Sequence, residues 1–169
     1  MKKNVIFGAV CFLCGTLSGI VGSEVNRKII KKKSETQNNT IETVNKRTEY
    51  YYNFLLFWLK AKKEGLDLKE YFKEQQYNRI VLYGAGKLCV RFYEELKDID
   101  NIDILYVVDK GNEKRLEDIE IIKLKEVKDR EQPDVVIVTP IYDYKEIAEE
   151  IEGEFQCPVV SLEDMIYAE

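Results

Sequence analysis

The sequence predicts an α/β domain with a small parallel sheet, preceded by a helical hairpin and one N-terminal transmembrane helix. Three observations predict it: an uncharged apolar run near the N-terminus, an aromatic stretch with helical spacing, and short apolar runs alternating with amphipathic ones from residue 77 onward. The boundaries read as an anchor over 1–26, a basic and polar linker over 27–40, a helical hairpin over 41–76 and the α/β domain over 77–169.

Val5 to Gly22 is 18 residues without a charge, and a helix needs about 20 apolar residues to cross the hydrocarbon layer. A cleaved signal would want an A-x-A-like site after the run, and a lipoprotein a small residue before its cysteine. Neither pattern fits, since Val10 precedes Cys11 and Leu13 precedes Cys14. The expectation is an uncleaved single-pass anchor. Lys2 and Lys3 precede it, and the larger cluster of Arg27, Lys28, Lys31, Lys32 and Lys33 follows, so the positive-inside rule puts the C-terminal domain in the cytoplasm. Cys11, Gly15, Gly19 and Ser23 recur every four positions, a stripe that lets helices approach closely, although glycine is also common in membrane helices.

The net charge of −5 over 169 residues hides an asymmetry: residues 1–76 carry 14 Lys/Arg and 8 Asp/Glu, residues 77–169 carry 12 and 23. The acidic domain would repel nucleic acid, and the basic part would be drawn to anionic lipid. There is no histidine, which removes the commonest general base and metal ligand. The four cysteines form neither a zinc pattern nor a disulfide framework, so no metal is expected and a reducing compartment is.

Residues 34–40 read as a solvated linker. Ile41, Val44, Thr48, Tyr51, Leu55 and Trp58 then repeat at 3-4-3-4-3, a short heptad seam. Residues 50–59 are so apolar that the helix must be covered, by its own domain, by a second copy or by the membrane interface. Homo-oligomerisation through the anchor and residues 41–58 follows as an expectation. Gly65 ends this helix, and Asp67 caps the next, with Glu70 completing a capping box.

Ile80–Tyr83 is a buried strand candidate, Gly84-Ala85-Gly86 a tight turn, and Leu88, Phe92, Leu96 and Ile99 lie at helical spacing. Residues 102–108 are β-rich and stop at Asp109. Ile119–Leu124 and 134–139 continue the strands, with 144–151 helical, Pro158–Val160 a last strand and Ser161 a cap for a final helix. Ligands of such sheets sit beyond the C-terminal strand ends, which here carry Gly84, Asp109 and Thr139.

Strand, glycine turn, helix, strand and acid in this order resemble the first βαβ unit of the Rossmann fold. Gly84 would permit the turn, and Gly86 would let a phosphate approach the backbone. Lys87 and Leu88 open the helix whose free N–H groups face that phosphate. Asp109, 23 residues after Gly86, would accept hydrogen bonds from a ribose. The binding residues expected are therefore Gly84, Ala85, Gly86, Lys87, Leu88, Asp109 and Thr139. Cys89 stands where the fingerprint wants a third glycine. It reads either as a packing thiol or as a reactive one whose pKa the helix start would lower.

RIVLYGAGKLCVRFYEEL, VVIVTPIYDYKEI and PVVSLEDMI resemble the nucleotide-binding modules of bacterial capsular and surface-polysaccharide proteins, namely the N-terminal domains of sugar acyltransferases and relatives of sugar-nucleotide dehydratases and epimerases. The resemblance implies NAD(P) or a sugar nucleotide as ligand and a polysaccharide-synthesis enzyme as partner. The catalytic parts of that family are not matched. Tyr142 and Lys145 are one residue too close for a Tyr-x-x-x-Lys pair, and no hexapeptide repeat is present. Three functions follow as expectations: a membrane-anchored accessory protein that binds a nucleotide or sugar nucleotide, an NAD-dependent oxidoreductase or sugar-nucleotide-modifying enzyme, or a tethered docking domain without ligand.

Overall fold

The computed structural model describes the backbone of residues 3–167 and the side chains of residues 30–167, and the chain divides into two compact units, Met1–Thr48 and Glu49–Glu169. Helix α1 spans Lys3–Glu64. In the first unit every described side chain, from Ile30 onward, is exposed. The solvated linker expected over 34–40 is therefore helix. No proline or glycine lies between residues 23 and 64 to break it. The threonines, which would otherwise favour turns, bond back into the helix: Thr36, Thr40 and Thr43 each donate to the carbonyl four residues earlier at 2.9 Å, and Thr48 does so at 2.8 Å.

Among the described residues no helix is long and apolar enough to cross a membrane. That finding overturns the transmembrane helix in the expected fold class, and with it the single-pass localisation and the cytoplasmic placement derived from its flanks. The apolar run that suggested them falls at the lower limit of a spanning length, and its side chains, like the small-residue stripe, lie outside the described residues. The fold that remains is a mixed α/β architecture on a six-stranded sheet.

The second unit opens with residues 49–64 of α1. Phe54 and Trp58 are buried, and Tyr51, Phe57 and Ala61 pack beside them on the domain core. Of the expected seam, Ile41, Val44 and Leu55 are exposed in the single chain, while Trp58 is buried and Tyr51 packs beside it. The covered stripe runs instead through 51, 54, 58 and 61, the spacing of one face of an ordinary α-helix. Gly65, at φ +108°, ends α1, with the Leu66 N–H reaching the Ala61 carbonyl at 2.9 Å. Helix α2 (Leu68–Gln75) is capped by Asp67, whose carboxylate accepts from the N–H groups of Lys69 and Glu70 at 2.9 and 3.2 Å.

The sheet is built from β1 (Arg79–Tyr83), β2 (Asp103–Val108), β3 (Arg115–Leu116), β4 (Ile119–Ile122), β5 (Val135–Val138) and β6 (Val159–Ser161), in the order β3-β4-β2-β1-β5-β6. All neighbours pair in parallel except β3 with β4, a hairpin turning through Glu117 at φ +52°. From β1 the chain winds outward through β2 to β4, then returns to the other side of β1 for β5 and β6. The winding reverses between β1 and β5, where open α/β sheets take ligands.

Alternate residues of β1 divide the core. Ile80 and Leu82 face the layer formed by α1, α2, α3 (Lys87–Leu96) and α5 (Leu162–Tyr167). Val81 and Tyr83 face the layer of α4 (Tyr144–Glu150) and the 3-10 turn Leu124–Asp129. At the opposite edge of the sheet, Asp134 ties β5 to β1. Its carboxylate accepts from the Asn78 and Arg79 N–H groups at 3.0 and 2.9 Å and from the Arg79 guanidinium at 2.7 Å. The Arg79 guanidinium, with these backbone donors, holds the Asp134 carboxyl below the usual range. A depressed folded pKa contributes stability that is complete above the unfolded value, about 3.9, and is lost as pH falls through the folded one. We expect Asp134→Asn to lower the urea midpoint at pH 7 and to flatten its fall between pH 4 and pH 2. A parallel acid limb in the variant would place the acid sensitivity elsewhere.

Candidate functional site

Five parallel strands end at one edge: β1 at the glycine turn, β2 at Asp109, β4 at Lys123, β5 at Thr139 and β6 at the start of α5. Gly84 is buried, at φ +92°, and its N–H donates to the Val108 carbonyl at 2.8 Å. A Cβ there would lie 2.5 Å from Pro140 Cγ and 3.3 Å from Thr139 Oγ1. Both dihedral and packing therefore require glycine.

Gly86 differs in each respect. Its backbone is extended (φ −76°, ψ −180°), a conformation open to any residue. A Cβ there would meet nothing within 4 Å. It is the N-cap of α3 and makes no side-chain cap bond, so the first-turn N–H groups of α3 have no cap acceptor within the turn. Ala85 and Leu88 are half-buried and Lys87 is exposed, placing one cation at the helix start.

Asp109 and Thr139 stand where the sequence puts them, but both hold the turn itself. One Asp109 oxygen accepts from the Ala85 N–H at 2.8 Å, and the other accepts from the Gly111 N–H. The Lys123 ammonium adds a 3.3 Å bond to the Asp109 carbonyl. The expected ribose acceptor is thus also a staple between the loops after β1 and β2. A carboxylate has roughly four acceptor positions, so accepting further donors remains within its capacity. Thr139 is buried, and its hydroxyl bond is shared between the carbonyls of Gly84 at 2.8 Å and Tyr83 at 3.1 Å. It supports the site from beneath and offers no surface to a ligand.

Cys89, on α3, is fully buried in the core cluster to which α1 and α5 also contribute. Burial pushes its thiol up to about 12, opposed only in part by a hydrogen bond with Thr139. The reactive reading, which needed a lowered pKa, is corrected: desolvation outweighs the helix start. Tyr83 ends β1 just before the glycine turn. Its hydroxyl is buried without a hydrogen-bond partner, and burial first, then Glu150, raises its pKa, while Lys110 opposes the rise. The Lys110–Glu150 ion pair links the loop after β2 to the end of α4.

The sequence reading did not single out Lys123 as part of this edge, and weighed Tyr142 only as half of a catalytic pair with Lys145. Pro140 had a signal, since a proline directly after a strand end next to a polar residue marks a fixed turn. Among the described residues no group of His, Cys, Asp or Glu is arranged to hold a metal ion.

Residues 76–156 match the family described as C2185-like, N-terminal. The stretch runs from the end of α2 to just past α4, and so takes in the glycine turn, Asp109 and Thr139. Over it the chain is similar to that family, while α1, α2, β6 and α5 lie outside the match. No curated protein matches the chain.

Proposed function

We propose that the α/β domain binds a nucleotide or sugar nucleotide through its phosphates, at the glycine turn, and serves as an accessory module without a reaction of its own. The observation that carries this reading is the contrast between the two glycines. Gly84 is explained by the fold. Gly86 is not: nothing in its dihedrals or its surroundings asks for glycine. What a side chain there would obstruct is approach to the α3 amides, which present donors and a positive dipole end to a phosphate. Lys87 would add charge, and Asp109 would take a ribose hydroxyl with its remaining acceptor capacity. NAD(P) and the UDP- and GDP-sugars carry a diphosphate, and CMP-sugars a single phosphate. A role beside a surface-polysaccharide enzyme rests on the sequence resemblance of the strand and turn segments alone.

The test is the melting temperature of the chain against NAD, NADH, NADP, ATP and UDP-, GDP- and CMP-sugars. A ligand at a hundred times its Kd stabilises by about 2.7 kcal/mol if it binds only the folded state. We expect one class to raise the melting temperature, and Gly86→Val to abolish the rise. The ligand-free variant should lose no more than about 1 kcal/mol, the scale of a changed N-cap. No rise with any compound, or an equal rise in the variant, would leave a docking domain as the better reading.

A further inference from the structure

Among the described residues, the large hydrophobic side chains left exposed lie on α1, on α5 and at one further position, Tyr142. Tyr142 lies at the C-terminal edge of the sheet, three residues beyond Thr139, on the β5 side of the point where the winding reverses, with Tyr50 of α1 packed against it. Asp109 lies on the other side of that point, at the end of β2. A diphosphate seated on the start of α3 between them has two ester arms. One runs toward Asp109, which suits a ribose; the other runs toward the loop after β5.

Resting on the nucleotide reading above, we infer that Tyr142 stacks on the ring carried by the second arm of the ligand, the hexose of a sugar nucleotide or the nicotinamide of a dinucleotide. Both are six-membered rings beyond the distal phosphate, the hexose bonded to it directly and the nicotinamide through a ribose, and an aromatic face accepts either.

The loop holds this ring in place before any ligand arrives. Ile141, next to it, is buried in the core. The Ile141 N–H donates to the Thr139 carbonyl at 2.9 Å and the Asp143 N–H to the Pro140 carbonyl at 3.0 Å. The Tyr50 ring meets Tyr142 nearly perpendicularly, at 85° with centroids 5.5 Å apart, and the Tyr50 hydroxyl is itself fixed by donation to Glu163. An aromatic in such a T-shaped contact is positioned by its neighbour. Little ordering then opposes stacking, which is how a preorganised side chain favours binding. The same loop packs Pro140 beneath Gly84, so the ring and the turn belong to one rigid edge.

The experiment compares paired probes on the full chain: ADP with NAD, and UDP with UDP-glucose. The member with the second ring should bind more tightly in one pair, which tells nicotinamide from hexose. Tyr142→Ala should weaken that member about tenfold, the scale of one lost stacking contact, and leave ADP or UDP unchanged. Tyr142→Phe, which keeps the ring, should bind as the parent does. Unchanged ADP or UDP binding also shows that the variant is folded. If ADP or UDP binds but Tyr142→Ala weakens both members equally, or neither, the stacking role is wrong while the phosphate site stands. If the parent chain binds none of the four, the nucleotide reading itself falls and takes this inference with it.

Discussion

Gly84→Ala is expected to destabilise the domain by about 3 kcal/mol, combining a strained positive φ with overpacking. The added methyl would sit 2.5 Å from Pro140 Cγ and 2.6 Å from Cδ. A proline ring is tied to the backbone at both ends and cannot swing aside. The loop after β5 must then move, and Thr139 loses its position under the turn. A loss of this size lowers the melting temperature on the order of 10 °C for a domain of this length. Gly86→Ala two residues away should cost less than about 1 kcal/mol, because its φ is ordinary and its surroundings are open. Urea unfolding with an unchanged m-value measures both. Equal losses at the two positions would remove the distinction on which the ligand site rests.

Phe54→Ala should cost about 3–5 kcal/mol, the usual range for deleting a buried aromatic. Phe54 is 1% exposed and meets Trp58 at 5.7 Å and Tyr167 at 6.3 Å between ring centroids. Leu55, its neighbour in sequence, is 41% exposed, and Leu55→Ala should stay within about 0.5 kcal/mol. The pair decides whether residues 49–64 fold as part of the domain. A fragment begun at residue 77 would bare Leu82, Phe92 and Met165 on the face that Phe54 and Trp58 cover, and should aggregate. Trp58→Phe offers a milder control, since it keeps the ring and removes an indole N–H that is buried without a partner.

How far the sequence carried the fold follows from where its signals were local. The run Ile80–Tyr83 and the glycine turn announced β1 and the start of α3, because a buried strand and a sharp turn each need particular residues in place. The cap at Asp67 was legible for the same reason. The hairpin of β3 with β4 was not: two residues carry no periodicity, and Glu117 at φ +52° is not a residue type that advertises a turn. The polar linker is helical with its described side chains exposed, because lysine, glutamate and glutamine are good helix formers and polarity alone does not tell a solvated helix from a solvated coil. The transmembrane helix failed as a structural statement because hydropathy over 18 residues is only marginal evidence of a span.

The candidate site divides along the same line. Position along the chain was readable; partners across the sheet were not. Thr139 belongs to the edge as expected, yet its hydroxyl turns inward to two carbonyls 55 and 56 residues away. Asp109 reaches the right place and is drawn into the turn by Ala85 and Gly111. Tyr142 was read only against a Tyr-x-x-x-Lys pair that it misses by one residue. Its exposure is a property of the folded edge, and the contact with Tyr50 helps to give its ring a fixed direction.

The burial of Cys89 supplies the domain with an internal clock. With the thiol sealed under α3 and pushed up to about 12, an alkylating reagent can capture it only during moments when that helix lifts from the sheet. Cys157, partly exposed, offers a comparison beside the core on the other face of the sheet. Peptide-resolved alkylation of the two thiols would therefore time the opening of the glycine-turn helix separately from the last strand. A ligand seated on the start of α3 should slow the first rate and leave the second untouched.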